Sequence, residues 1–232
     1  MIKIGHRGLA GIAPENTKIS FIKAIEYGLD MVELDIQLTK DRELVVFHDY
    51  NLQRIAAIDR RVEDMTLKEL KEIDIGECFD MKFSGQRILD LEEVIRLLRG
   101  NLKINIEIKI NRKEARFIAD KLIAILDRED FQDQVIISSF DHKMIKYIKS
   151  IIPTIKAAIL VSSLTIKPIE LINSAAADGI HPHHLVITED FVREIKKKGF
   201  FINTWTVNDK QEFKRLSELG VDGIMSDYPY FF

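Results

Sequence analysis

Met31-Val32-Glu33-Leu34-Asp35-Ile36-Gln37-Leu38, then Thr39-Lys40-Asp41-Arg42-Glu43, then Leu44-Val45-Val46-Phe47-His48-Asp49, is the stretch on which the fold turns. Side chains along a strand alternate between its two faces. Glu33, Asp35 and Gln37 therefore share one face, and Val32, Leu34 and Ile36 share the other. The five residues between Leu38 and Leu44 are too few for a parallel crossover, which takes about a dozen. The two runs are predicted to form an antiparallel hairpin folded around Asp41, with Glu33 roughly opposite His48. Two acids side by side repel unless a cation or a proton lies between them. With two imidazoles and an arginine nearby, the pattern points to metal-assisted phosphate chemistry.

Outward from this hairpin, strand-like and helix-like segments alternate. Upstream, the short strand Ile2-Lys3-Ile4-Gly5 runs into His6-Arg7-Gly8, and Thr17 to Tyr27 has a helical apolar stripe that stops at Gly28. Asn16 or Thr17 is predicted to cap that helix. Downstream, helices are predicted over 89–98, 113–127, 141–151, 169–176, 189–198 and 210–219. Strands are predicted over 104–110, 135–139, 156–161, 179–183, 201–207 and 223–226. The parallel candidates begin near Ile2, Met31, Ile104, Val135, Lys156, Gly179, Phe201 and Gly223. Eight such strands with alternating helices close a (β/α)8 TIM barrel. Residues 50–88 interrupt the alternation with a short helix near Leu67 to Ile73, and read as a small insertion on the active face after the hairpin. The expected organisation is one domain over 1–232.

Composition narrows the class. A chain of 232 residues with 46% apolar content fills a sizeable core as one barrel. Its net charge of −3 argues against a nucleic-acid partner, although a local basic site for one phosphate remains compatible. The lone Cys78 excludes an internal disulfide and fits a reducing compartment. No apolar run approaches the ~20 residues needed to span a bilayer, and His6 falls where a leader would be apolar. A soluble, cytoplasmic protein with no stable membrane insertion is expected.

Lys103-Ile104-Asn105-Ile106-Glu107-Ile108-Lys109 repeats the pattern of the hairpin. Its isoleucines would pack against helices, leaving Asn105, Glu107 and Lys109 inside the barrel or at its rim. Glu107 then joins Glu33 and Asp35 as a third oxygen ligand. Three carboxylates without a thiol favour one hard divalent cation, Ca2+ or Mg2+, over zinc. Arg7 beside His6 suits bidentate contact with phosphate. Glu15 is positioned to brace a site residue. Trp205, at the end of the seventh strand, offers a flat wall for a polyol or apolar group. His181, His183 and His184 lack a nearby acid or thiol and are not read as a metal site. Ser138, Ser139 and Asp141 have no base at a recognisable spacing.

The ordered set His6-Arg7-Gly8, Pro14-Glu15-Asn16-Thr17, Glu33 to Asp41, Val45-Val46-Phe47-His48-Asp49, Ile106-Glu107-Ile108-Lys109, Trp205-Thr206-Val207-Asn208 and Gly220 to Ile224 resembles the glycerophosphodiester phosphodiesterase family. The resemblance spans residues 2–229. It implies a phospholipase-C-like barrel that hydrolyses a small glycerophosphodiester to sn-glycerol 3-phosphate and an alcohol. It also implies a divalent cation at Glu33, Asp35 and Glu107, His6 and His48 as an acid/base pair, and Arg7 and Lys109 on the phosphate. Two departures fall in the insertion. The chain reads Arg54-Ile55-Ala56 where family members often carry Arg-Thr-Thr, and Ala57 to Arg61 lacks the usual glycines. Both bear on the alcohol side rather than on hydrolysis. Two other functions are compatible with the same site. One is lysophospholipase D or phospholipase-C-like action on lipid diesters, for which no amphipathic basic helix or aromatic cluster is evident. The other is a non-catalytic phosphodiester-binding barrel, against which stands the complete set of histidines, carboxylates and cations.

Overall fold

The computed structural model describes residues 1–109 and 113–232. Eight strands form the barrel: β1 (Ile2–Gly5), β2 (Met31–Leu38), β3 (Lys103–Ile108), β4 (Val135–Ser139), β5 (Lys156–Val161), β6 (Gly179–Pro182), β7 (Phe201–Thr204) and β8 (Gly223–Ser226). Each pairs in parallel with its sequence neighbours, and β1 pairs with both β2 and β8, which closes the ring. Helices Lys18–Glu26, Leu91–Leu98, Ala115–Arg128, His142–Ile151, Pro168–Ser174, Glu189–Lys197 and Lys210–Leu219 fill the crossovers. Among the described residues no helix is long and apolar enough to cross a membrane.

Local chemistry sets the helix ends. Thr17, not Asn16, caps the first helix by accepting from Ser20 N, while Asn16 has a φ of 56° and turns its side chain elsewhere. Asp90 and Glu93 form a reciprocal capping box on Leu91–Leu98. Asp90 enters that cap in extended conformation, so Leu89–Asp90 is a short strand rather than the predicted first turn. Asp141 caps His142–Ile151, as its position predicts. β7 stops at Thr204, earlier than predicted, and Trp205 keeps only an isolated bridge to His183. The last residue of the predicted third strand, Ile110, lies outside the described residues.

The hairpin forms, with Ile36, Gln37 and Leu38 opposite Val46, Val45 and Leu44. It uses the edge of β2 that β1 leaves open beyond Val32. This register is centred on Asp41, and Phe47 N bonds Asp35 O at 3.0 Å. Phe47 thus faces Asp35, and extending the register puts Asp49 rather than His48 across from Glu33. The prediction was off by one residue.

The main core lies outside the barrel wall. Val32, Leu34 and Ile36 of β2 and Ile104, Ile106 and Ile108 of β3 pack there against the helices. Inside the barrel the apolar cluster is small, built on Ile4, Met31 and Met225. Asn105, Ser138, His181 and Asn203, all buried, share the strands' inner face with it. Asn105 Nδ2 donates to Ser138 Oγ at 3.1 Å, and Asn203 Nδ2 lies 3.3 Å from His181 Nε2. The insertion has a separate apolar cluster, in which Leu52, Ile55, Val62, Met65, Leu70, Ile75 and Ile88 pack with Val45 and Phe47 of the hairpin. Its apolar residues show no periodicity because two short helices, two short strands and a 3-10 turn contribute only one or two each.

Candidate active site

Barrel strands end on one face, and the residues just inside or past those ends converge. His6 and Arg7 follow β1, Glu33 and Asp35 lie on β2, His48 follows the hairpin strand Leu44–Val46, Glu107 lies near the end of β3 and Lys109 just past it. His6, Arg7, Glu33, His48, Glu107, Lys109 and Trp205 line one cavity of about 110 Å³. Asp35 is buried beside it, with one oxygen each of Glu33, Asp35 and Glu107 within 4.8 Å of one another. All eight residues singled out in the sequence therefore come together. A larger hollow of about 870 Å³ shares Phe140 with this cavity but has no comparable acid cluster among the described residues.

The acids are held in unequal states. Burial raises the Glu33 pKa, and the charge of Asp35 adds to the shift, taking it to about 8. Burial also raises Glu107, again with help from Asp35, despite the opposing Lys109. For Asp35 burial pushes the same way, but Lys109 and Arg7 outweigh it and lower the pKa. Lys109 Nζ stands 3.3 Å from Asp35 Oδ1 and 2.9 Å from Glu107 Oε1, Arg7 Nε 3.6 Å from Asp35 Oδ2. Asn16 Nδ2 donates to Asp35 Oδ2 at 3.0 Å. Glu33 Oε2 accepts from Arg7 N at 2.9 Å, whereas Glu33 Oε1 is buried with no hydrogen-bond partner among the described residues. A buried carboxylate oxygen without a donor, beside two further carboxylates, fits a hard divalent cation.

Each histidine is anchored through Nδ1 by an aspartate. His6 Nδ1 lies 2.6 Å from Asp227 Oδ1, and its Nε2 is 4.0 Å from Glu33 Oε2. Burial lowers the His6 pKa, but the Asp227 bond and the charge of Glu33 outweigh it, and the net shift is upward. His48 Nδ1 lies 2.7 Å from Asp49 Oδ1. Burial dominates there and the pKa falls, with Asp35 opposing and Arg7 and Lys109 assisting. Around this layer, Arg7 Nη1 donates to Glu15 Oε1 at 2.9 Å, as expected of a bracing residue. Arg54 donates to both Glu15 and Asp49.

Sequence reasoning missed Asp227, Asp49, Asn16 and Arg54 as members of this network. Asp227 directly follows β8 and so stands at the C-terminal end of a barrel strand, the one signal that pointed to it. Trp205 lines the cavity with its Nε1 donating to His181 O at 2.8 Å and its ring edge-on to Phe140 and His183. His181 is buried, and burial drops its pKa to about 3. His184 pairs with Glu212 at 2.9 Å, an acid distant in sequence, yet no metal-holding group forms there among the described residues. Ser138 accepts from Asn105, Ser139 donates to Ile108 O, and Asp141 caps a helix, so all three are structural.

Comparison with known proteins agrees with this geometry. The sequence model of the Glycerophosphoryl diester phosphodiesterase family matches residues 6–230. A glycerophosphodiester phosphodiesterase of Caldanaerobacter subterraneus subsp. tengcongensis is 38% identical over 97% of this chain and 93% of its own. One from Bacillus altitudinis is 35% identical over 99% of this chain and 96% of its own. A phosphodiesterase of Oleispira antarctica, solved with the product sn-glycerol-3-phosphate, superposes with a TM-score of 0.94 at 29% identity, covering 99% of this chain and 94% of that one. With the family model covering residues 6–230, the chain belongs to the glycerophosphoryl diester phosphodiesterase family.

Proposed function

We propose that this chain hydrolyses glycerophosphodiesters to sn-glycerol 3-phosphate and an alcohol, using one divalent cation, Ca2+ or Mg2+, and His6 and His48 as the acid/base pair. The observation that carries the reading is the convergence, in one cavity, of three clustered carboxylates with two histidines that are each anchored through Nδ1. The product held by the Oleispira antarctica relative supports the substrate class. Glu33, Asp35 and Glu107 would hold the cation, which supplies positive charge against the phosphoryl oxygens. Arg7 and Lys109 bind those oxygens and orient the diester. With Nδ1 tied to a carboxylate, each imidazole has Nε2 left for the proton transfer. One histidine takes the proton of the attacking hydroxyl and the other gives one to the leaving alkoxide, a division worth about 10²–10⁴-fold. Trp205 walls the pocket beside the glycerol or alcohol moiety. The insertion 50–88 belongs to the same functional domain, spanning 1–232, and the lone Cys78 is consistent with a cytoplasmic location.

The test is purified protein with glycerophosphocholine and glycerophosphoethanolamine, assayed for glycerol 3-phosphate release with Ca2+ or Mg2+ added. No turnover of either diester with either metal, or tight binding without product, refutes the reading. A second reading, cleavage of lipid-sized diesters, draws on one observation. Leu164, Ile166 and Leu185 are 69%, 97% and 75% exposed on loops that follow β5 and β6, on the active face. Faster cleavage of lysophosphatidylcholine micelles than of glycerophosphocholine would put it first.

A further inference from the structure

Arg54 lies in the short helix Gln53–Ala56 of the insertion and does not line the catalytic cavity. Its guanidinium nevertheless grips two carboxylates at once. Nε and Nη2 donate to Asp49 Oδ2 and Oδ1 at 2.7 and 3.1 Å. Nη1 and Nη2 donate to Glu15 Oε2 and Oε1 at 2.9 and 2.7 Å. The planar fork of arginine makes such bidentate contacts, which a lysine ammonium cannot reproduce. Each gripped carboxylate also holds a residue of the cavity: Asp49 Oδ1 accepts from His48 Nδ1 at 2.7 Å, and Glu15 Oε1 accepts from Arg7 Nη1 at 2.9 Å. His48 and Arg7 come from different strand ends, the hairpin and β1. Arg54 is the side chain through which their two supports are joined.

The charge balance fits such a junction. Burial opposes ionisation of both Asp49 and Glu15, yet bonds to Arg54 and His48 hold the Asp49 pKa at about 2, and Arg54 with Arg7 keeps Glu15 below the ordinary carboxylate range. Without a counter-ion, the two acids would stand close together and repel. A carboxylate anchored on one side only can also rotate, and with it the imidazole or guanidinium that it orients. The half-exposed position of Arg54 on the insertion shows that packing alone does not demand an arginine there.

We propose that Arg54 is a positioning residue for the hydrolysis. Through Asp49 it sets the orientation of the His48 ring, and through Glu15 it sets that of the Arg7 guanidinium. A single side chain of the insertion thereby governs both proton transfer and phosphate binding. The inference rests on the roles given to His48 and Arg7 above.

Its test is a set of double-mutant cycles in steady-state hydrolysis of glycerophosphocholine by the full chain at saturating divalent cation. Arg54→Ala is expected to lower kcat about tenfold or more and to raise KM several-fold, the scale of charge-assisted bonds lost at two points. Asp49→Asn should reproduce the fall in kcat with little change in KM, and Glu15→Gln the rise in KM with little change in kcat. Adding Arg54→Ala to Asp49→Asn should then cost little further kcat, and adding it to Glu15→Gln little further KM. This split between kcat and KM is what a merely structural role would not produce. Arg54→Lys keeps the charge and stem but not the fork and should recover only a minor part; it replaces the Ala variant in the same cycles if that variant does not fold. Kinetic constants unchanged from the parent, or an Arg54 effect that persists in full in both backgrounds, overturn the proposal. His48→Ala separates two failures. If it is active, the role of His48 itself falls; if it is inactive while the Arg54 variants match the parent, only the role of Arg54 falls.

Discussion

Asp227→Asn should cost about 10- to 150-fold in kcat/KM, and the reason lies in the bonds around one amide. Asn208 Oδ1 already accepts from Asp227 N at 3.0 Å and from Ser226 Oγ at 3.2 Å, so its Nδ2 is the end turned towards Asp227 Oδ2. In the variant, the new amide must present its oxygen to Asn208 and its NH2 to His6. His6 Nδ1 then becomes an acceptor, the proton moves to Nε2, and the imidazole faces the cavity in the opposite tautomer. A hydrogen bond to a charged group is worth about 1.5–3 kcal/mol, and each 1.4 kcal/mol is tenfold, which sets the range quoted. The pH dependence should move as well. Burial lowers the His6 pKa while the Asp227 bond and the charge of Glu33 raise it. Removing the Asp227 contribution leaves burial less opposed, so the limb of the pH–kcat/KM profile that reports His6 shifts to lower pH. An alkaline limb that moves marks His6 as the acid; an acidic limb that moves marks it as the base. Glycerol 3-phosphate release from glycerophosphocholine, coupled to its dehydrogenase and followed across pH at fixed excess cation, reads both effects. A variant within about threefold of the parent, less than the smallest bond loss considered, and with both limbs in place refutes the anchoring argument.

Glu33→Gln and Glu107→Gln should weaken cation binding, so that excess Mg2+ or Ca2+ restores part of their activity, whereas His6→Ala and His48→Ala should not respond; equal rescue of all four contradicts the division of roles. In chelator-treated protein the folded Glu33 pKa of about 8 lies above its ordinary value of 4.5. The stabilisation from this group is therefore full below pH 4.5 and is lost as the pH rises through about 8. The Tm of metal-free protein should fall over that window, added cation should raise Tm most at its alkaline end, and Glu33→Gln should flatten the slope; parallel Tm profiles for parent and variant would refute this. Lys149→Met should destabilise by about 2–3 kcal/mol in denaturant unfolding while KM stays unchanged, because it takes one donor from two backbone carbonyls and a partly buried carboxylate. The buried Lys149 Nζ donates to Pro153 O, Ile155 O and Asp178 at 2.7, 2.9 and 2.9 Å. A loss under about 1 kcal/mol, the worth of a surface pair, would contradict the burial argument.

Much of the fold was legible because it is written in local patterns. The alternation of Val32, Leu34 and Ile36 with Glu33 and Asp35 marks a strand with one apolar and one acidic face, and the short Thr39–Glu43 link permits only a hairpin. The three carboxylates were readable for the same reason, since β2 and β3 are neighbours with matching polar faces and Asp35 pairs with Glu107 in register. What stayed hidden depends on closure. Asp227 meets His6 across 221 residues of chain, a contact created only when β8 returns beside β1. Arg54 was visible as a residue but not as a bridge, because its partners Glu15 and Asp49 belong to different strand ends. The core of the insertion follows no period, so no pattern announces it. The one-residue error in the hairpin arose because a turn centred on Asp41 pairs residues whose numbers sum to an even value, which excludes Glu33 from facing His48.

The placement of the main core outside the barrel wall bears on how this family varies. In β2, one set of positions carries cohesion and the interleaved set carries reactivity, so substitutions in either set are nearly orthogonal to the other. Exchanging Glu33 alters chemistry without opening a void, and trimming Leu34 opens a void without removing a ligand. A deletion of one residue has no such privacy. It reverses the facing of every residue beyond it, turning valine and leucine towards the cavity and the acids towards the helices. Divergence along this strand is therefore expected to proceed by replacement at constant length, with insertions and deletions confined to segments such as 50–88 that lie off the alternating frame.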